Sequence, residues 1–174
     1  MRHSIVLAAG VLTILAACAE EPQTGAVEPH WDRDACERCR MVLSERNYAA
    51  QVRFVPPGKK RSRVLWFDDI GCATLWLDEQ PWADAPGVEI WVTDRDSGQW
   101  IEARGANYLV GNVTPMAYGI AASAKPLDGG LDFEQAKQHI RTVEQRFNVR
   151  DAHLLEQAKA RAAAASPAIG EKDN

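Results

Sequence analysis

Cys36-Glu-Arg-Cys39-Arg-Met41 places three sulfur atoms within six residues. Mixed thiolate and thioether donors suit Cu(I) better than harder ions. The spacing alone leaves four chemistries open. A Cys-x-x-Cys pair is half of a zinc site and needs two more ligands, for which Cys72 and a histidine are available. A thiol–disulfide exchange pair normally sits at a helix N-terminus after a strand, inside a βαβ pattern. Here the pair precedes the first expected strand. A structural Cys36–Cys39 disulfide would close so short a loop that it constrains the unfolded chain little. The fourth chemistry is a Cu(I) site. There Cys39 and Met41 turn their sulfurs toward one ion, and Cys36 serves as an auxiliary ligand or resolving thiol.

The first residues say where such chemistry would take place. Met1-Arg2-His3-Ser4 is followed by an apolar run from Ile5 to Ala17, 13 residues long. This has the form of a secretory leader and is too short for a bilayer crossing of roughly 20 residues. It ends Leu15-Ala16-Ala17-Cys18, small residues before a cysteine, the pattern of a bacterial lipoprotein. Cys18 is therefore the expected lipidation site, and the domain is expected to face the periplasm from a membrane anchor. A further three cysteines remain, Cys36, Cys39 and Cys72, and two methionines beyond the leader, Met41 and Met116. An odd thiol count in an oxidising compartment requires a thiol that is metal-bound, unpaired or engaged with a partner.

Charge and composition narrow the partners. Removing Arg2 with the leader takes the net charge from −4 to −5, which disfavours nucleic acid. The basic run Lys59-Lys60-Arg61-Ser62-Arg63 after Pro56-Pro57-Gly58 reads as a solvated loop or a docking patch for an acidic partner. No nucleophile–base pair or paired carboxylate set stands at informative spacing, so no enzyme activity and no small-molecule substrate are expected. Asp68-Asp69 reads as a helix cap.

The elements that must position these groups follow from periodicity. Strands are expected at 48–55, 64–67 and 88–92, and a short amphipathic helix over 70–78. Shorter strand pieces fall near 100–103 and 107–110. Phe133, Ala136, Ile140, Val143 and Phe147 have helical spacing. Residues 154–165 are Ala-rich and helix-prone. The fold class is α+β, in two small related strand-strand-helix-strand units, the second reduced. The expected divisions are a leader at 1–17, a disordered tether at 18–30, a first unit at 31–104, a second at 105–150, and a helical then disordered tail at 151–174. Cys72 falls on the apolar side of the short helix and is expected to pack, free cysteine being among the most buried residues. Trp31 is the tryptophan placed to shield a metal near the sulfur cluster.

The ordered set of lipoprotein leader, Cys36-x-x-Cys39-x-Met41, Phe67-Asp68-Asp69-Ile70-Gly71-Cys72, Tyr108-Leu109-Val110-Gly111 and Pro115-Met116 resembles the NosL family. These are accessory lipoproteins of nitrous oxide reductase assembly. The resemblance spans about 36–147. It implies a Cu(I) carrier that hands its ion to the maturation machinery of a periplasmic copper enzyme. Carried over by position, Cys39 and Met41 match the family's copper-binding element, and Met116 matches its second-unit Pro-Met element. Two departures stand out. Arg40 replaces the glycine common between cysteine and methionine, and Ala117 replaces the glycine after Pro-Met. The resemblance also implies a histidine ligand, for which His30, six residues before Cys36, is the candidate. His139 reads as an exposed helical residue, and His153 falls in the tail.

Overall fold

The computed structural model describes residues 22–165. The leader, the lipidation site Cys18 and the end of the tail at 166–174 lie outside the described residues. The fold is α+β. Five residues of alternating character form β1 (Ala50–Phe54), which pairs antiparallel with β2 (Arg63–Phe67) on one side and β3 (Glu89–Thr93) on the other. The edge strand β4 (Trp100–Glu102) completes a sheet of order β2-β1-β3-β4. Between β2 and β3 the chain crosses as helix α1 (Ile70–Asp78). A separate hairpin-like pair, β5 (Asn107–Val110) with β6 (Ile120–Ser123), is antiparallel as well. Helix α2 (Phe133–Ala165) ends the described chain.

The period-2 geometry of a strand sends alternate side chains to opposite faces. Ala50, Val52 and Phe54 on β1 therefore join Leu65, Phe67, Ile90 and Val92 in a buried layer under α1. Phe54 stacks on Trp82 at 4.2 Å, and Trp76 meets Phe67 at 5.5 Å. Each buried Phe, Ile or Leu contributes about 2 kcal/mol by removal from water. The other face of β1 carries Gln51 and Arg53. It is covered by residues 22–30, which corrects the expected tether. Gln51 accepts from Val27 N–H and donates to Val27 C=O, both at 3.0 Å. Gly25 N–H donates to Glu89 at 2.7 Å, and Arg53 donates to Gly25 C=O at 2.8 Å. Polar composition favours disorder only while nothing in the fold answers its backbone groups; here buried side chains on the sheet do.

The first unit runs strand, strand, helix, strand as expected, then adds β4. The second is β5, β6 and α2, and no strand follows α2 among the described residues. The boundary expected at 150 is absent, because α2 runs unbroken through it. Reciprocal hydrogen bonds between Asp132 and Gln135, at 2.8 and 3.0 Å, cap its start. Phe133, Ala136 and Ile140 are buried, and Val143 and Phe147 pack against the same core. Arg141 grips Asp78 at the end of α1 with two hydrogen bonds of 2.9 Å. Beyond Phe147 the helix has no breaker and leaves Val149, Leu154 and Leu155 exposed. Among the described residues, no helix is long and apolar enough to cross a membrane.

Candidate metal centre

The cysteine pair sits in a tight loop closed by its own backbone. Ala35 and Val42 form an isolated antiparallel bridge. Inside it, Cys36 N–H donates to Met41 C=O at 2.8 Å, and Arg40 N–H to Cys36 C=O at 3.0 Å. Closing the loop this tightly puts Arg40 in the left-handed region, φ 65°, a conformation glycine adopts without steric penalty. Cys39 N–H points at Cys36 Sγ, 3.5 Å away. Glu37 N–H donates to Trp66 C=O at 2.9 Å and fixes the loop on the end of β2.

The third sulfur comes from α1. Asp69 is the N-cap of that helix and accepts from Cys72 N–H at 3.0 Å. This sets the first turn so that Cys72, fully buried, meets the loop. The sulfurs of Cys36, Cys39 and Cys72 all lie within 4.8 Å of one another. A trigonal centre with metal–sulfur bonds of about 2.3 Å spaces its sulfurs about 4 Å apart, so little movement is needed to close on an ion. The three cysteines could hold a metal ion, and no histidine, aspartate or glutamate joins the group among the described residues.

The electrostatics divide the thiols. A hydrogen bond from the Cys72 thiol holds the Cys36 thiol down at about 5, helped by the backbone N–H groups of Cys39 and Asp68 against the effect of burial. Of the three thiols, Cys36 is the one whose surroundings favour the thiolate. Cys72, the donor in that bond and buried, is pushed well above the usual thiol range. Burial pushes Cys39 up to about 12. Its thiol donates to Asp68 Oδ2 at 3.2 Å, and burial in turn raises Asp68 to about 6.

Support comes from the second unit. Arg38, between the two cysteines of the loop, pairs with Glu144 of α2 at 2.6 Å and donates to Tyr118 Oη at 3.0 Å. Tyr118 Oη donates to Glu144 at 2.7 Å, closing the triangle. The Tyr118 ring lies against Gly71, where an added Cβ would run into the ring carbons. Only glycine fits beside Cys72.

The other sequence candidates are placed as follows. Met41 closes the loop with its carbonyl, and the residue is 51% exposed. Met116 N–H donates to Asp69 Oδ2 at 3.2 Å, which brings the Pro115-Met116 segment to the N-terminus of α1. Ala117 after it is left-handed, φ 58°. His30 faces solvent, its side chain 75% exposed and paired with Asp34 at 3.3 Å. His139 contacts Tyr118 C=O at 3.1 Å. Trp31 packs against the core edge, with its indole N–H on Glu28 and Arg46 over its ring. Sequence reasoning gave Cys72 mainly to packing and named it as a ligand only for a zinc site; the structure buries it in the core and also brings it into the sulfur group. The available signal was its position three residues after the N-cap, where the first helical turn faces the preceding strand end.

These features define an α+β protein with a three-cysteine candidate metal centre carried by one unit and braced by the other. Comparison of the chain with protein-family models and with curated proteins returned no match.

Proposed function

We propose that this protein binds one Cu(I) through Cys36, Cys39 and Cys72 and passes it to the maturation machinery of an extracytoplasmic copper enzyme. Met41 is the exposed donor on the exit path. The carrying observation is the convergence of three sulfurs with no fourth His, Cys, Asp or Glu donor in the group among the described residues. Three soft donors satisfy a low-coordinate monovalent ion, whereas structural zinc is four-coordinate. The two departures from the NosL pattern add support. Arg40 and Ala117 stand where that family carries glycine, and both are left-handed, the backbone state in which glycine is the default residue. On this reading the leader and Cys18 make the protein a membrane-anchored lipoprotein of the periplasm, delivering copper to nitrous oxide reductase or a similar enzyme. Its role is transfer by ligand exchange, with no catalysed reaction.

The test is anaerobic titration of the reduced protein with Cu(I) against a colorimetric chelator. One equivalent should bind. Cys72→Ser should weaken binding by at least about a hundredfold, beyond the roughly 10–100-fold that loss of an outer-shell partner costs. Wild-type protein that binds no tighter than Cys39→Ser removes the proposal. One observation favours a second reading. Asp68 Oδ2 lies 3.2 Å from Cys39 Sγ and would make the fourth ligand of a structural zinc site. Stoichiometric zinc in protein purified without added metal would select it.

A further inference from the structure

The sheet face turned away from α1 holds a second site, with different chemistry. Arg53 on β1 is only 3% exposed. Its Nε donates to Gly25 C=O at 2.8 Å; its Nη1 donates to Pro22 C=O and Ser62 Oγ, both at 2.7 Å. Its Nη2 is buried and meets no acceptor. On the neighbouring strand the Trp66 indole Nε1 is also buried without a partner. These two are the orphaned buried side-chain nitrogens among the described residues. Leaving such a donor unmet costs roughly 1–3 kcal/mol, more for a charged group.

Both residues line one cavity of about 310 Å³, at the small-ligand end of binding-site volumes. Ser62 and Arg63, the end of the basic run after β1, line it too, as does His30. The single acid on the wall is Glu28. Its two oxygens are already taken by the indole N–H groups of Trp31, at 3.1 Å, and Trp100, at 2.8 Å. Two of the residues that wall the cavity thus carry a buried donor with no partner, Arg63 adds a second guanidinium, and the one carboxylate of the wall is engaged elsewhere. Arg53 and Trp66 reach it from adjacent strands and Arg63 from the strand edge. Donors arriving from several directions suit a tetrahedral oxyanion better than a planar carboxylate, and guanidinium is a strong phosphate partner.

We propose that this cavity binds a phosphate group, supplied either as free orthophosphate or as the headgroup of an anionic phospholipid. The cavity shares no side chain with the three-cysteine group, although the cysteine loop is fastened to the backbone of Trp66. The test uses the ¹⁵N-labelled full chain and reads the Trp66 indole N–H resonance. Potassium phosphate is titrated at constant ionic strength, with chloride as the control. Dihexanoylphosphatidylglycerol, kept monomeric, is titrated separately. A saturable shift with both assigns the phosphate moiety itself. A shift with the lipid alone assigns the headgroup, and a shift with phosphate alone assigns the free anion. Arg53→Lys, which removes Nη2, should weaken binding about tenfold. Trp66→Phe, which keeps the ring and removes the donor, gives the same comparison if Arg53→Lys does not fold, read through the ¹⁵N resonances of neighbouring backbone amides. No saturable shift with either compound, or an equal shift with chloride, overturns the proposal.

Discussion

Two buried aspartates each follow a strand, Asp68 after β2 and Asp94 after β3, and their surroundings have opposite effects. Asp94 accepts from the N–H groups of Asp96, Ser97 and Ala124 and from the Ser97 hydroxyl, at 2.8–3.0 Å. Burial alone would raise its carboxyl, but these donors outweigh burial and hold it at about 2. Asp68 is as deeply buried, yet the side-chain donor it meets is the Cys39 thiol, and burial lifts it to about 6. Asp94 ties β3 to the start of the β6 exit, where it bridges to Ala122, and so joins the two units. Asp68 belongs to the sulfur group. A saturated carboxylate does structural work; one left short of donors marks a place prepared for something else to arrive.

The largest way to break this contrast is at the braced end. Gly71→Ala drives a methyl into the Tyr118 ring and should destabilise the fold by about 3 kcal/mol, read as a lowered midpoint in denaturant. Metal-binding capacity should fall with it, because Gly71 sits beside Cys72. An unchanged midpoint would show that the second unit does not brace the site.

The junction end is sharpened by acid. The Asp94 pKa in the folded protein lies below its ordinary 3.8. Its stabilisation is therefore fully present above pH 4 and is lost as pH falls toward 2. The shift corresponds to about 2 kcal/mol. The difference in unfolding free energy between wild type and Asp94→Asn should shrink by that amount across this window. A difference that stays flat from pH 5 to about 2 would remove Asp94 as an anionic junction.

The smallest effect tests the loop alone. Arg40→Gly relieves a left-handed non-glycine backbone and should stabilise the protein by about 1 kcal/mol. Loss of stability would mean that the Arg40–Glu37 pair, 3.4 Å apart, outweighs the backbone strain.

Much of this arrangement was readable from residue types. The helix over Ile70–Asp78 matches its expectation because a capping aspartate and apolar spacing agree. The strands β1 to β5 lie within a residue or two of their expected positions for the same reason: alternation and turn residues coincide. β6 was not foreseen. Ile120-Ala-Ala-Ser123 is a small-residue run with weak strand preference, and its pairing with Asn107–Val110 is a tertiary effect. Cys36 and Cys39 were legible from spacing, but a buried helical cysteine such as Cys72 reads the same whether it packs or binds. The segment 22–30 was misjudged because its partners, Gln51, Arg53 and Glu89, lie more than twenty residues away in the chain.

That docked segment changes the mechanics of any anchor at Cys18. A free leash from 18 to 30 would reach about 45 Å and let the domain roam. With the chain fastened at Pro22 through Arg53, only four peptide steps separate position 18 from the folded body, a reach of about 14 Å. A body on so short a leash has little orientational freedom. The face that the cysteine loop turns to its surroundings is then set by the fold, and under the proposed function a receiving protein would have to approach from that side.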